Sequence, residues 1–426
     1  MGVRARDLMT GDEFDVRAKS IVFAGGPFTD SLREMEDPEA PRAVSGAAGT
    51  HIVLPGYYCP REMGLLDINT SDGRFLFFLP WQGCTLVGTT DRKGEPVSTP
   101  LPPEEEIKWI LNEASRYLSD DLRVRRSDVL SAWQGWRPLA VDPHAPPDAP
   151  VSRDHIISTN PVTGITFITG GKWTTYREMA EDVIDRVVQD KNLQVAGPCI
   201  TSTLPLLGAE GYERNLDIKL TQKYAIAGDT AKHLASTYGT RAYEVCERSA
   251  PTGLAWPRFG QSLVQGFPFI EAEVEQAVNE YARTVKDVIA LRTRLAYLNV
   301  HAAREAVPRV AVLMGDLLEW DDDERARQER EAMEFIRSFG GPVPADRKDE
   351  LIRRAGTATP LKQIFAALDS SGDGYLDMHE FVQAAEMLGA PFPTNAEVRS
   401  EGSAVCVCVC VCVWVCVWVC GTWERV

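Results

Sequence analysis

What the chain lacks sets the first bounds. No strand in it is followed by G-x-G-x-x-G, so the turn that normally holds a dinucleotide pyrophosphate is missing from these residues. Excess basic charge is missing too. With Lys+Arg 45 against Asp+Glu 61 the formal net charge is -16, which excludes a nucleic-acid partner, because that function needs clustered Lys and Arg. Individual arginines can still hold one small phosphate. The opening MGVRARDLMTGDEF has no apolar run and carries acidic residues, so no secretory or transit segment is expected there. Cysteines at metal or disulfide spacing are absent. Cys59, Cys84, Cys199 and Cys246 are scattered, which predicts reduced, packing thiols, and the other six of the ten lie in the terminal VCVCVCVCVWVCVWVC. Before that tail no segment is long and apolar enough to span a bilayer, so membrane attachment is expected to be peripheral.

What is present fits an ordinary globular chain of two or three domains: 426 residues, 44% hydrophobic and 25% charged. The apolar run Ile21 to Ala24 feeds Gly25, Gly26 and Pro27, the pattern of a strand running into a ligand site. HIVLP, FLFFLP and CTLVGTTD predict short strands of one sheet. In PPEEEIKWILNEASRYL, Pro103 suits a first helical turn, the glutamates favour its positive end, and Ile107, Ile110, Leu111, Ala114 and Leu118 form an apolar stripe. ITGGKWTTYREMAEDVIDRVV, from Ile168 to Val188, reads as a strand end, a glycine turn and a helix with Met179, Val183, Ile184 and Val187 on one side. Such a helix N-terminus, with outward backbone N-H groups, makes a cradle for an anion or cofactor. Residues 200–340 read as mostly helical, with Asp321, Asp322 and Asp323 as an N-terminal cap rather than a metal cluster. Residues 340–360 have linker composition.

DSSGDGYLDMHE, Asp369 to Glu380, matches the twelve-residue EF-hand loop and predicts a Ca2+ site. Its ligands would be Asp369, Ser371, Asp373, the Tyr375 carbonyl, Asp377 through water and a bidentate Glu380, with Gly374 at the sharp turn. Ser371 in place of a carboxylate should weaken binding. A second hand does not arrive. The alternation from Val405 to Cys420 has strand periodicity without a globular context, and it is what a translated TG dinucleotide repeat would give, so the tail is expected to be a gene-model artefact.

Taken in order, GTHIVLPGYYCPREMGLLDINTSDGRFLFFLPW, VGTTD, SAWQGWRPL, SRDH and GGKWTTYREMAEDV closely resemble the family of mitochondrial FAD-dependent glycerol-3-phosphate dehydrogenases, over roughly residues 1–340. The EF-hand extension resembles the calcium-binding C terminus of the mitochondrial members. The resemblance implies an α/β fold: a partial flavin domain of the amino-acid-oxidase type, an inserted antiparallel-sheet (α+β) substrate domain, a helical C-terminal domain and an EF-hand. Met1 is expected to lie inside the true protein. The corresponding division is 1–44 for the end of a flavin segment, 45–135 for the substrate domain, 136–195 for the return to the flavin domain, 196–340 for the helices, 341–395 for the EF-hand and 396–426 for the tail.

The activity implied is oxidation of sn-glycerol 3-phosphate to dihydroxyacetone phosphate, with FAD as cofactor and ubiquinone as acceptor at the mitochondrial inner membrane, modulated by calcium. By resemblance, Arg137 in WRPL and Arg153 in SRDH bind the substrate, with Lys172 beside them, and Gly25, Gly26, Gly170, Gly171, Lys172, Trp173, Thr174 and Thr175 face the flavin. Arginine suits the phosphate because its planar fork can hold it bidentately. The alcohol must also lose a proton, so a base of near-neutral pKa is needed. His51 in GTHIV is the candidate, a hydrogen-bonded histidine at a strand start being the alternative, and His155 in SRDH is second. Asp91 in GTTD could orient a basic group or cap a turn. Two rivals stand beside this: a catalytically incomplete chain whose working part is the calcium module, and a flavin oxidase of an amine or amino acid.

Overall fold

A computed structural model describes residues 2–118, 124–141 and 154–340. They belong to the first of two units into which the chain divides, residues 1–342 and 343–426. The chain opens with an antiparallel ribbon of β1 (Gly2–Arg6) and β2 (Glu13–Arg17), whose side chains are mostly exposed. Next come the short strand β3 (Val22–Phe23), a 3-10 turn at Gly26–Phe28 and helix α1 (Thr29–Glu36).

A six-stranded antiparallel sheet follows, built on β4 (Val44–Pro55). Beside it lie β5 (Leu65–Asp67), β6 (Leu76–Trp81), β7 (Cys84–Gly88), β8 (Arg92–Lys93) and, after helix α2 (Glu104–Ser115), β9 (Ser131–Ala140). β9 runs along β4 from Val44 paired with Ala140 to Val53 paired with Ser131. The other edge of β4 is shared: β7 pairs at its C-terminal half, β8 at Ala47 and Ala48, and Thr89 to Asp91 bridge the gap.

The sequence suggests HIVLP alone as strand, whereas β4 begins seven residues earlier, at Val44. Its Ala- and Gly-rich first half has little strand propensity and is held by its pairing with β9. β9 carries Gly135 and Pro138, both unfavourable inside strands, and tolerates them as an edge.

Alternation sends Ile52, Leu54 and Val87 to one side, where they pack with Leu76, Phe78 and the α2 stripe Ile107, Ile110, Leu111 and Ala114. Each such fully buried side chain contributes roughly 1.5–3 kcal/mol. The opposite face turns Val53, Leu86 and Trp133 toward C-terminal helices.

β10 (His155–Thr159) pairs antiparallel with β11 (Thr166–Gly170), and β11 pairs parallel with β3. Helix α3 (Tyr176–Lys191) follows. It buries Val183 and Val187, but Ile184, expected on the same stripe, is 53% exposed. The rest is helical: α4 (Leu216–Tyr224), α5 (Gly228–Tyr238), α6 (Ala242–Glu247), α7 (Ala272–Asn279), α8 (Leu295–Leu298), α9 (Val300–Leu318) and α10 (Asp322–Arg337). α4 to α6 share one core with Ile270, while α7 to α10 share another that extends onto the sheet at Val53 and Cys84. Asp321 is indeed a cap, its carboxylate accepting from the Glu324 N-H at 2.8 Å.

Candidate active site

The antiparallel register of β4 and β9 puts Ala47 opposite Arg137, Gly49 opposite Gly135 and His51 opposite Trp133. Paired residues share a sheet face, so His51 and Arg137, separated by 86 positions in the chain (137 minus 51), stand on one surface. His51 pairs on its other side with Gly88. Glycine is required at two of these places. A Cβ on Gly88 would come within 2.4 Å of the His51 ring, and one on Gly49 within 2.4 Å of the Arg137 guanidinium. The result is a recess in the side-chain layer of the sheet, where the imidazole lies over Gly88, the guanidinium lies over Gly49 and Gly135 is left bare among the described residues.

Arg137 is held in place. Its Nη2 donates to Thr89 Oγ1 at 2.9 Å, and longer contacts of 3.4 Å reach the Thr90 carbonyl and Asp91 Oδ1. Asp91 therefore orients a basic group. The Thr89 to Asp91 bridge is itself anchored from below, where buried Glu106 of α2 accepts hydrogen bonds from Thr90 Oγ1 (2.7 Å), Thr50 Oγ1 and Gln134 Nε2 (3.3 Å) and pairs with Arg92 (3.1 Å). The Thr50 N-H donates to Thr90 Oγ1 at 2.8 Å. Thr90 dips into the sheet's lower face while Thr89 and Asp91 meet Arg137 above.

His51 stacks on Trp133 with ring centroids 5.7 Å apart, and Trp133 meets Tyr297 of α8 edge-on at 5.1 Å. Burial, and secondly the charge of Arg137, lower the His51 pKa to about 4. The ring is therefore neutral at physiological pH, and with Arg137 uncompensated it is a weaker base than the near-neutral group expected from the sequence.

The glycine turns lie at the end of the second sheet. Because β3 and β11 are parallel, Gly25 and Gly26 after one and Gly170 and Gly171 after the other leave the sheet at the same edge. That is where open α/β sheets bind ligands. Gly170 and Gly171 have φ of +76° and +75°, and a Cβ on Gly170 would strike the Asp154 carbonyl and Ala140, the last residue of β9. The Gly26–Phe28 turn packs against β4, β9 and β11, so this edge adjoins the strands that carry His51 and Arg137. Neither Trp173–Thr175 nor α3 has a side-chain cap at its N-terminus. Lys172, Trp173, Thr174 and Thr175 are exposed, Trp173 by 89%. Two glycine turns, with backbone N-H groups and an exposed indole that stacks on Tyr176 with ring centroids 6.1 Å apart, fit a flavin cofactor.

Lys172 has no ion-pair partner among the described residues. His155 is engaged elsewhere, its Nε2 lying 2.9 Å from Asp182 on α3. Arg153 lies outside the described residues, as do Asp369, Ser371, Asp373, Tyr375 and Glu380. Sequence reasoning overlooked Thr89, Trp133, Gly49, Gly88, Gly135 and the buried role of Glu106. The glycines spaced along GAAGTHIV and WQGWRP were a signal, since glycine inside a strand marks close approach by something else.

Residues 2–177 match the family model described as FAD dependent oxidoreductase, and residues 199–325 that of the C-terminal domain of alpha-glycerophosphate oxidase. Mitochondrial glycerol-3-phosphate dehydrogenase of Homo sapiens is 50% identical over 335 residues, 79% of this chain and 46% of the relative. The protein of the same name from Mesocricetus auratus is 49% identical over 406 residues, 94% of this chain and 56% of the relative. This chain thus spans about half the length of these curated relatives. The crystal structure of glycerol-3-phosphate dehydrogenase from Bacillus halodurans, complexed with FAD, superposes with a TM-score of 0.65 at 27% identity, covering 81% of this chain and 67% of that one.

Proposed function

This chain belongs to the glycerol-3-phosphate dehydrogenase family, and we propose from that premise that it carries the substrate site for FAD-dependent oxidation of sn-glycerol 3-phosphate to dihydroxyacetone phosphate. One observation carries the proposal: a neutral, buried imidazole and an immobilised guanidinium share one glycine-floored recess. Arg137 binds the phosphate with donors not committed to Thr89, and its anchoring avoids the entropy cost of ordering a free side chain. His51 takes the proton of the C2 hydroxyl. Before substrate arrives, Arg137 opposes a charge on that ring. The phosphate dianion offsets the guanidinium, so His51 becomes a better base when the recess is filled.

Gly25, Gly26 and Gly170 to Thr175 would hold FAD through backbone N-H groups and the Trp173 ring. Bound there, FAD would supply the acceptor for the hydride leaving C2. The chain's share of the step is then complete: phosphate fixed by Arg137, proton held on His51 Nδ1 or Nε2, carbonyl formed at C2.

In this reading the electrons pass on to ubiquinone at the mitochondrial inner membrane; the names of the relatives support the mitochondrion alone. Among the described residues no helix is long and apolar enough to cross a membrane. Calcium bound at Asp369 to Glu380 modulates substrate affinity, a proposal resting on the loop sequence.

The test is anaerobic bleaching of flavin absorbance in the FAD-loaded chain. Glycerol 3-phosphate should bleach it and glycerol should not. Equal bleaching by both, or by neither, would refute the assignment.

A further inference from the structure

Gly135 differs from its neighbours in the recess. At Gly49 and Gly88 a side chain would collide with Arg137 or His51, so the fold itself demands glycine there. At Gly135 an added Cβ would meet nothing within 4 Å among the described residues, and its backbone is not in the left-handed region. The residue is exposed, in the middle of β9, where glycine weakens a strand relative to alanine. No feature of the described residues explains why a side chain is absent.

Its position suggests the reason. Trp133, Gly135 and Arg137 alternate onto one face of β9, and Gly135 pairs with Gly49, so the bare backbone lies between the residue that stacks on His51 and the residue proposed to bind phosphate.

We infer that Gly135 is a specificity-determining residue whose missing side chain keeps room for the carbon skeleton of a short phosphorylated alcohol between His51 and Arg137. This rests on the recess being the glycerol 3-phosphate site. A side chain at 135 occupies the space of the substrate's carbons without touching Arg137, so it excludes the organic phosphate while sparing the inorganic anion.

The experiment compares Gly135→Ala and Gly135→Leu with the unaltered full chain loaded with FAD, measuring thermal unfolding and calorimetric binding of glycerol 3-phosphate and of inorganic phosphate. Expected are unfolding midpoints that do not fall, glycerol 3-phosphate binding weakened about tenfold or more by Leu and less by Ala, and phosphate binding within about threefold of the unaltered chain. Unchanged glycerol 3-phosphate affinity in both variants would overturn the inference while leaving the site assignment standing. Parallel loss of both ligands would place the effect on Arg137 and overturn it too. If the unaltered chain binds phosphate but not glycerol 3-phosphate, the assignment of the site fails instead.

Discussion

The imidazole of His51 lies nearly parallel to the indole of Trp133, with centroids 5.7 Å apart and planes 13° apart. The stack covers one face of the ring and is part of its burial, and burial is the principal cause of the lowered pKa. The charge of the ring is thereby tied to the packing of the sheet.

The first prediction concerns pH. The folded pKa of His51, about 4, lies below the value of about 6.5 for an exposed imidazole, so the unfolded chain binds more protons between those two values. The neutral ring's contribution to stability is complete above about pH 6.5, falls away toward pH 4 and does not change further below it. Histidine-labelled NMR should show one imidazole titrating near 4. A midpoint near 6.5 would contradict the buried, neutral ring. His51→Asn should lower kcat by about 10²- to 10⁴-fold with little change in phosphate affinity.

Arg137→Gln should raise the KM for glycerol 3-phosphate by about ten- to a hundredfold, the range of a lost charge-assisted hydrogen bond. It should also raise the His51 titration midpoint, since the guanidinium is the second cause holding it down. Burial would still keep the midpoint below that of a free imidazole. Both changes are measurable in one variant, and an unmoved midpoint would separate the two residues electrostatically.

Glu106 is a positioning residue, because it touches the recess only through other residues: Thr90 and the Thr89 to Asp91 bridge, and Thr50 and Gln134 on the two paired strands. In Glu106→Gln an amide N-H₂ must share space with the donors Thr50, Thr90 and Gln134, at a cost of about 1–3 kcal/mol in stability. The informative readout is the split between constants: KM should rise through Arg137 more than kcat falls through His51. An equal change in both would point to general destabilisation. Glu106→Asp, which keeps the charge, should restore part of the KM.

The two fold-required glycines should respond differently to alanine. In Gly49→Ala the methyl group meets the far end of Arg137, which can move, so substrate affinity should suffer more than stability. In Gly88→Ala it meets a ring stacked on Trp133, and the overpacking should cost about 1–3 kcal/mol, with kcat reduced. Thermal unfolding beside steady-state kinetics checks the contrast.

Calcium should lower the KM for glycerol 3-phosphate, and by linkage the substrate should tighten calcium by the same factor. Equal Michaelis constants with calcium and with chelator would remove this proposal.

Much of the fold was legible because its elements carry local signals. The α2 stripe, the glycine turns after β3 and β11, and Asp321 at the start of α10 each follow from residue type and spacing. β9 and the first half of β4 were not legible, since Ala, Gly and Pro give no strand signal and the pairing of Val44 with Ala140 spans nearly a hundred residues. Of the site, His51 and Arg137 could be nominated one by one, but their shared face depends on register, which no local pattern encodes. Glu106 looked like its two neighbours in the first turn of α2. Only the helix's docking against β4 and β7 turns the third glutamate inward.

The stack on His51 continues through Trp133 to Tyr297, whose carbonyl accepts a hydrogen bond from Ser131 at the start of β9. The sheet and the helices therefore cannot be exchanged as independent cassettes. A chimaera that joined this sheet to a foreign helical region could preserve every strand pairing and still lose the ring that steadies Trp133, and with it the environment of the histidine. For anyone grafting the recess onto another scaffold, the smallest transferable unit reaches from Val44 to Tyr297.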